Sequence, residues 1–191
     1  MPRRSILSAS EKESLLALPD TQEGLIRHYT FSEADLSIIR QHRGAANRLG
    51  FAVQLCYLRF PGIILGVGQT PAMPLLGTVS EQLGIPPESW DDYGKREQTR
   101  REHLAELQTV FGFTPFTATH YRQAVHTLTD LALQTDKGIL LANGLIDGWR
   151  RQSIILPAIN SIESICAEAI THANRRIYAA LVFPLSADHR Q

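Results

Sequence analysis

The sequence predicts an all-α protein. Apolar residues recur three or four positions apart in successive stretches, and these stretches are bounded by helix-capping residues, glycine or proline. No stretch shows the alternation of apolar and polar residues that is typical of a half-buried strand, and no internal repeat is visible. Apolar residues make up 43% of the chain, which is enough to build a core. We expect one helical domain or two small ones.

Four helices are predicted in the first 60 residues. Ser8 is followed three positions later by glutamate, the spacing of a capping box, and the leucines that follow end at Pro19. The pattern starts again at Asp20 and at Ser32, each time ahead of an apolar stretch. A fourth helix is expected from about Ala45 to Phe60, where proline and glycine end it.

A loop rich in glycine and proline follows at 61–74, and a short helix at 74–83. Two prolines then open a turn, and here we place the boundary between two small helical subdomains, residues 1–84 and 85–191.

The second half contains further helical stretches. Gly112 suits the position after a helix, and Thr117 is a suitable cap for the next one. A helix is predicted at about 139–151, and the longest amphipathic helix is predicted at 157–182.

Two glycines, Gly144 and Gly148, interrupt the predicted helix 139–151. Each costs about 1 kcal/mol in a helix interior. Their spacing of four would alternatively let another helix approach closely. The sequence leaves both interpretations open.

No catalytic or metal-binding pattern is visible in the sequence. The seven histidines and two cysteines lack paired ligand spacing, and Pro71 stands where a dinucleotide-binding loop needs its third glycine. Cys56 and Cys166 are expected to be buried thiols in a reducing cytosol. The apolar stretches are too short for a membrane span or a signal peptide, so we expect a soluble, cytoplasmic protein without enzymatic activity or cofactor.

The charge distribution is uneven although the formal net charge is +0. No acid occurs from Leu36 to Ser80, where four arginines lie. A local surface of this kind suits phosphate contacts, because each contact releases condensed counterions. Arg40 and Arg43 precede the predicted helix on an expected exposed turn and are the best candidates. For Arg48 and Arg59, contact with DNA and holding a carboxylate or carbonyl within the fold remain open alternatives.

The helix predicted at 45–60 is apolar on most of its circumference, so we expect it to be central to its subdomain. Asn47, Gly50 and Gln54 form a narrow polar edge on it.

A second basic cluster is the stretch KREQTRRE, which contains Lys95, Arg96, Arg100 and Arg101. Glu97 lies four residues before Arg101, so a solvated helix face with internal ion pairs is the alternative interpretation. Two arginine pairs follow, at 150–151 and 175–176, and acids are again missing from Ala169 to Ala187.

A helix-turn-helix is one interpretation of residues 98–134. The first helix would end at Phe111 and the second would start near Thr117. Side chains that suit base edges follow near the start of the second helix, namely Thr119, Arg122, Gln123 and His126. The turn is longer than usual, which favours an ordinary helical hairpin.

Five segments resemble the N-terminal region of Tn-three-family transposases, the large enzymes of replicative bacterial transposons. They read MPRRSILSASEKESLLALP, LIRHYTFSEADLSIIRQHRGAANRLGFAVQLCYLRFPG, ESWDDYGKREQTRREHLAELQTVFGF, HYRQAVHTLTDLALQTDKG and RRQSIILPAINSIE. Together they extend over nearly the whole chain.

The resemblance implies a DNA-binding region that recognises the terminal inverted repeats during DNA transposition, a form of DNA recombination. Catalysis in this family uses an Asp-Asp-Glu metal-binding set in an RNase H-like domain far downstream. The sequence stops at Gln191 before any such domain, so we expect no catalytic residue and no metal here, and a divalent metal only in that domain. The expected partners are double-stranded DNA, the rest of the transposase and, in the full-length protein, a second copy.

The candidate DNA contacts are Arg40, Arg43, Asn47, Arg48, Lys95, Arg96, Arg100, Arg101, Arg122, Gln123, His126, Arg150 and Arg151. The alternative function is a helical protein-interaction module that pairs transposase subunits in the synaptic complex. An exposed apolar stripe on the helix 157–182 would favour that alternative.

Overall fold

The computed structural model describes residues 5–187, and this part of the chain is helical. Its helices are α1 (Ala9–Leu15), α2 (Gln22–Tyr29), α3 (Glu33–Arg40), α4 (Ala45–Arg59), α5 (Met73–Leu83), a 3-10 helix (Pro87–Asp92), α6 (Glu97–Phe111), α7 (Ala118–Ala132), α8 (Gly138–Arg151) and α9 (Ile159–Ala187). The only β-structure within 5–187 is an isolated parallel bridge between Thr114 and Ile154. The all-α prediction is confirmed.

The chain folds into two compact units that differ from the predicted subdomains. Unit 1 comprises the described residues of Met1–Leu16, Pro115–Gln152 and Leu156–Gln191, and unit 2 comprises Ala17–Thr114 and Ser153–Ile155. The boundary placed after residue 84 therefore lies inside unit 2. The physical reason is that the two prolines lead into the 3-10 helix, where Trp90 is buried in the same core as α4.

Unit 2 is built around α4. Every residue from Leu49 to Leu58 is buried, and α2, α3, α5, α6 and the 3-10 helix all pack against this helix. Of the polar edge predicted from the sequence, Gly50 and Gln54 are therefore covered, whereas Asn47 is only partly buried. Gln54 donates from Nε2 to the Leu65 carbonyl at 3.1 Å and accepts from the Leu65 amide at 3.3 Å, which pairs its buried amide with the loop after α4.

Gly50 lies where the ring of Tyr93 packs against α4. A Cβ at this position would overlap the ring, so only glycine allows the contact.

An ion pair joins α3 to the end of α4. Asp35 accepts from Arg59 Nη1 at 2.9 Å and from Nη2 at 2.8 Å, and it also accepts from the Ser32 amide in the capping box of α3. Burial raises the pKa of Asp35, but the bonds from Arg59 and Ser32 outweigh burial and hold it below its usual range. Of the two alternatives for Arg59, the structure shows the one in which it holds a carboxylate.

Unit 1 contains α1 and the helices α7, α8 and α9. Tyr121 Oη donates to Glu168 at 2.8 Å, and Arg176 Nη1 donates to Asp130 at 2.7 Å. Both pairs advance in the same direction along the two helices, so α7 and α9 run parallel. The core face of α9 ends at Ala173, and the described side chains beyond it, 174–182, are exposed.

Glu163 fixes the N-terminal segment of unit 1 to α9. It accepts from the Ile6 amide at 3.0 Å, the Leu7 amide at 3.2 Å and the Ser5 hydroxyl, and its other oxygen pairs with Lys12 Nζ at 2.6 Å. Burial raises the pKa of Glu163, but the hydrogen bonds from Lys12, Ser5 and Leu7 lower it to about 2.

The glycines of α8 lie away from other helices. A Cβ at Gly144 would meet nothing within 4 Å, and at Gly148 it would meet only the guanidinium of Arg151 at 3.9 Å. Close helix packing therefore does not explain these glycines.

Substitution of two helical glycines should change stability in opposite directions. We expect Gly50→Ala to lower the free energy of unfolding by about 1–3 kcal/mol, because the added methyl group overpacks a buried aromatic contact. We expect Gly144→Ala to raise it by up to about 1 kcal/mol through helix propensity. Urea denaturation followed by circular dichroism measures both changes. A Gly50→Ala protein as stable as the parent would contradict the packing at Tyr93.

The low pKa of Glu163 should make unit 1 sensitive to acid. Its stabilising effect is fully present above the unfolded-state value of about 4.3 and is lost as the pH falls through about 2. We expect the melting temperature of unit 1 to fall as the pH is lowered across this interval. The fluorescence of Trp149, which lies in unit 1, follows the unfolding. Glu163→Gln should lower the melting temperature at neutral pH and flatten the dependence. Glu13→Gln, an exposed change on α1, is the control and should alter neither.

Candidate nucleic-acid interface

Two exposed arginines lie at the turn between α3 and α4, residues 41–44. Arg40 is the last residue of α3, and Arg43 lies on the turn. Both side chains are exposed, and neither makes a hydrogen bond or ion pair with another side chain or backbone group in the part of the chain described. Because no acid occurs from Leu36 to Ser80, the stretch itself supplies no counter-charge.

Other predicted contacts of this stretch hold the turn in place. Arg48 Nε donates to the His42 carbonyl at 2.8 Å, and Asn47 Nδ2 donates to the Arg43 carbonyl at 3.0 Å. Gly44 caps α4 with a φ of 82° and offers no side chain to the amides of the first turn. The turn is therefore a fixed platform beside an open helix N-terminus, an environment that favours anions.

The second basic cluster is largely engaged within the fold. Lys95 pairs with Asp92, and Arg101 pairs with Glu97 at 2.6 Å, as the alternative interpretation of this stretch predicts. Arg96 is exposed and makes no such bond to any described residue.

Arg100 has a structural role in unit 2. Its Nη2 donates to the carbonyls of Leu65 and Gly66, each at 3.0 Å, and its guanidinium lies 5.9 Å from the centroid of the Trp90 ring and 5.3 Å from that of Tyr93. These bonds and ring contacts commit Arg100 to holding the loop after α4.

The two helices of the predicted helix-turn-helix belong to different units. α6 lies in unit 2, whereas α7 lies in unit 1 and packs against α8 and α9. The predicted contacts on α7, Arg122, Gln123 and His126, are all exposed.

A groove between α7 and α9 is lined by side chains of both helices, so basic residues of α9 lie beside those of α7. It has a volume of about 270 Å³, and its lining includes Arg122 and His126 from α7 and His172 and Arg176 from α9. The sequence indicated the basic character of α9 through the acid-free arginine pair at 175–176. It did not indicate that α9 lies beside α7, because that contact joins positions 46 residues apart.

Of the two arginines at the end of α8, one is bonded within the fold and the other is exposed. Arg150 pairs with Asp147 at 3.3 Å and donates to the Leu15 carbonyl at 3.2 Å. Arg151 is exposed and makes no hydrogen bond or ion pair with the residues of 5–187.

The buried reactive groups have the character of core residues. His103 Nδ1 lies 3.1 Å from the Tyr93 hydroxyl, and burial, followed by nearby His42, lowers the pKa of His103 to about 4. Burial raises the pKa of the Cys56 thiol, and that of Cys166 to about 12, so both remain protonated at neutral pH.

The described residues show neither a metal-binding cluster nor a membrane-spanning helix. Within 5–187, no group of three or more histidine, cysteine or carboxylate side chains is arranged to hold a metal ion. None of the helices there has the length and apolar character needed to cross a membrane.

Residues 6–169 match the family described as "Domain of unknown function (DUF4158)". The chain is 73% identical over 191 residues to the transposase for transposon Tn3926 of Escherichia coli and 53% identical over 190 residues to that for Tn501 of Pseudomonas aeruginosa. It is 33% identical over 188 residues to the transposase for Tn1546 of Enterococcus faecium. These alignments cover 98–100% of the chain but only 19% of each relative. The chain therefore belongs to the DUF4158 family and corresponds to the N-terminal region of Tn-three-family transposases.

Proposed function

We propose that this chain is the part of a Tn-three-family transposase that binds double-stranded DNA at the terminal inverted repeats of the transposon. The observation that supports this most strongly is the pair of exposed, unpaired arginines, Arg40 and Arg43, at a fixed turn in an acid-free stretch. The proposed role in transposition is recognition of the DNA ends inside the bacterial cell. Catalysis and its divalent metal are assigned to the Asp-Asp-Glu domain of the transposase.

The free energy that an arginine gains from a phosphate contact depends on whether its guanidinium is already paired within the fold. An arginine bound to a carboxylate must give up that bond before it contacts phosphate, whereas a solvated arginine exchanges only water and counterions. Arg40 and Arg43 are of the second kind, and Arg59 is of the first. We therefore assign phosphate contacts to the turn and not to the far end of α4.

Unit 1 offers side chains that suit base readout. Arginine donates to guanine and glutamine pairs with adenine in the major groove, and Arg122 and Gln123 are exposed near the start of α7. Each unit thus has its own surface for DNA, and we assign base contacts to α7 and phosphate contacts mainly to unit 2.

Binding should depend on both the DNA sequence and the salt concentration. We expect the chain to bind a duplex carrying a transposon end more tightly than a scrambled duplex, and the affinity for both to fall as salt rises. Fluorescence anisotropy at several salt concentrations measures both effects. Equal affinity for the two duplexes, or affinity that is independent of salt, would contradict the proposal.

Two arginine variants should separate DNA binding from stability. We expect Arg43→Ala to weaken DNA binding roughly tenfold, about 1.4 kcal/mol, without changing the melting temperature. Arg59→Ala should lower stability by about 2 kcal/mol because it leaves Asp35 buried and unpaired. That value is below the cost for a fully buried pair because the Arg59 side chain is 31% exposed.

Binding is measured by anisotropy and stability by thermal melting, with both variants treated alike. If Arg43→Ala binds as tightly as the parent protein, the turn does not contact DNA. If Arg59→Ala melts like the parent, the ion pair with Asp35 does not stabilise unit 2.

A second candidate function rests on the end of α9. Ile177, Tyr178, Leu181 and Val182 are 41%, 68%, 61% and 58% exposed. An exposed apolar helix face is typical of a protein-interaction site, which favours a role in pairing transposase subunits.

Sedimentation velocity tests this second candidate. If the α9 face pairs subunits, the chain should form a dimer at high concentration without DNA, and Leu181→Glu should abolish it. A strict monomer at all concentrations would exclude pairing through this face alone.

A further inference from the structure

Unit 2 has an open cleft of about 300 Å³ beside the end of α3. It is lined by Ile39, Arg40, Arg48, Gln82, Leu83 and Ile85. Two of these six residues are arginines, and none is acidic. The cleft therefore combines positive charge with apolar walls.

Some polar groups of the cleft are hydrogen-bonded within the fold, and others have donors left for a ligand. Gln82 Oε1 accepts from the Phe31 amide at 2.9 Å, and its Nε2 donates to the Tyr29 carbonyl at 2.8 Å. Arg48 donates from Nε to the His42 carbonyl, which fixes its guanidinium and leaves the terminal nitrogens without a partner among the residues described. The free donors of the cleft are therefore those of its arginines.

Two guanidinium groups that line one cleft repel each other unless an anion lies between them. No acid is among the six residues that line the cleft, and within 5–187 no carboxylate pairs with Arg40 or Arg48; Asp35 is held by Arg59, and Glu106 lies beside His42. The charge of the cleft is thus left for a ligand to neutralise.

We infer that this cleft is an anion site that holds one phosphate group of the DNA backbone through Arg40 and Arg48, an inference that rests on the proposed function. The planar guanidinium group presents paired N–H donors that match two phosphate oxygens. The apolar side chains Ile39, Leu83 and Ile85 exclude water from one side of the cleft and so strengthen the attraction. A contact of this kind positions the duplex and carries no sequence information.

The first test uses inorganic phosphate and the protein without DNA. In ¹H–¹⁵N spectra of the arginine side chains, we expect the Nε–Hε signals of Arg40 and Arg48 to shift on addition of phosphate. Arg27 is an exposed arginine on α2 that makes no side-chain hydrogen bond or ion pair within 5–187, and its signal should stay in place. If no signal shifts, or if all three shift alike, the cleft is not an anion site.

The second test uses duplex DNA. Arg40→Gln should reduce the slope of log Kobs against log salt by roughly 0.9 in magnitude, the loss expected for one phosphate contact. The ratio of affinities for the transposon end and a scrambled duplex should be unchanged. The matched control Arg27→Gln should change neither quantity. An unchanged slope in Arg40→Gln, or an equal reduction in both variants, would overturn the assignment to DNA phosphate.

The outcome of the phosphate test does not depend on the proposed function. If the protein binds no DNA but phosphate still shifts Arg40 and Arg48, the proposed function is wrong and the cleft binds some other phosphate-bearing ligand. A polyglutamate peptide serves as the carboxylate probe. If it displaces DNA at a lower concentration than a phosphate polymer of equal charge does, the cleft recognises an acidic peptide and the assignment to phosphate is wrong.

Discussion

The burial of α4 on every side is the constraint on which unit 2 depends. A helix enclosed by protein has no solvent to satisfy its polar groups, so these must bond to backbone. Gln54 does so with Leu65, and the Tyr57 hydroxyl accepts from the Ala72 amide at 3.0 Å, so both shape the loop after the helix. The charges of α4 are confined to its ends, where Arg59 pairs with Asp35 and Arg48 uses only Nε, in its bond to the His42 carbonyl, among the residues described. The turn before the helix is left to carry free charge.

In each unit a carboxylate with a lowered pKa joins segments that are distant in the sequence. Asp35 links α3 to the end of α4, and Glu163 links the N-terminal segment to α9. In both cases hydrogen bonds to the charged form outweigh the effect of burial on the pKa, so the carboxylate stays ionised and bonded at neutral pH. Acids used in this way do not neutralise the exposed arginines.

The parts of the fold that the sequence predicts correctly are those set by local signals. The capping boxes at Ser8 and Ser32 are present, and Thr117 caps α7, because caps involve residues only three positions apart. The prediction at Asp20 is wrong by one residue, since the hydroxyl of Thr21 caps α2. Two subdomains were predicted, but the bounds of the two units differ from the prediction, because unit 1 combines segments from both ends of the chain. The contact of Gly50 with Tyr93 was also missed, because the apolar pattern within one helix does not show which residues pack against it.

The candidate interface shows why a cluster of arginines in the sequence is a weak predictor of DNA contacts. The sequence decides where arginines cluster. The fold decides which of them can bind a ligand, because it brings carboxylates and carbonyls close to some of them. Arg100 stands in a basic stretch and is bound to backbone and aromatic rings, whereas Arg43 has no such partner among the described residues. An arginine spaced four residues from an acid on a helix, such as Arg101, can be identified as paired from sequence alone. The pairing of Arg59 with Asp35 across 24 residues cannot be identified in this way, because it depends on the packing of α3 on α4.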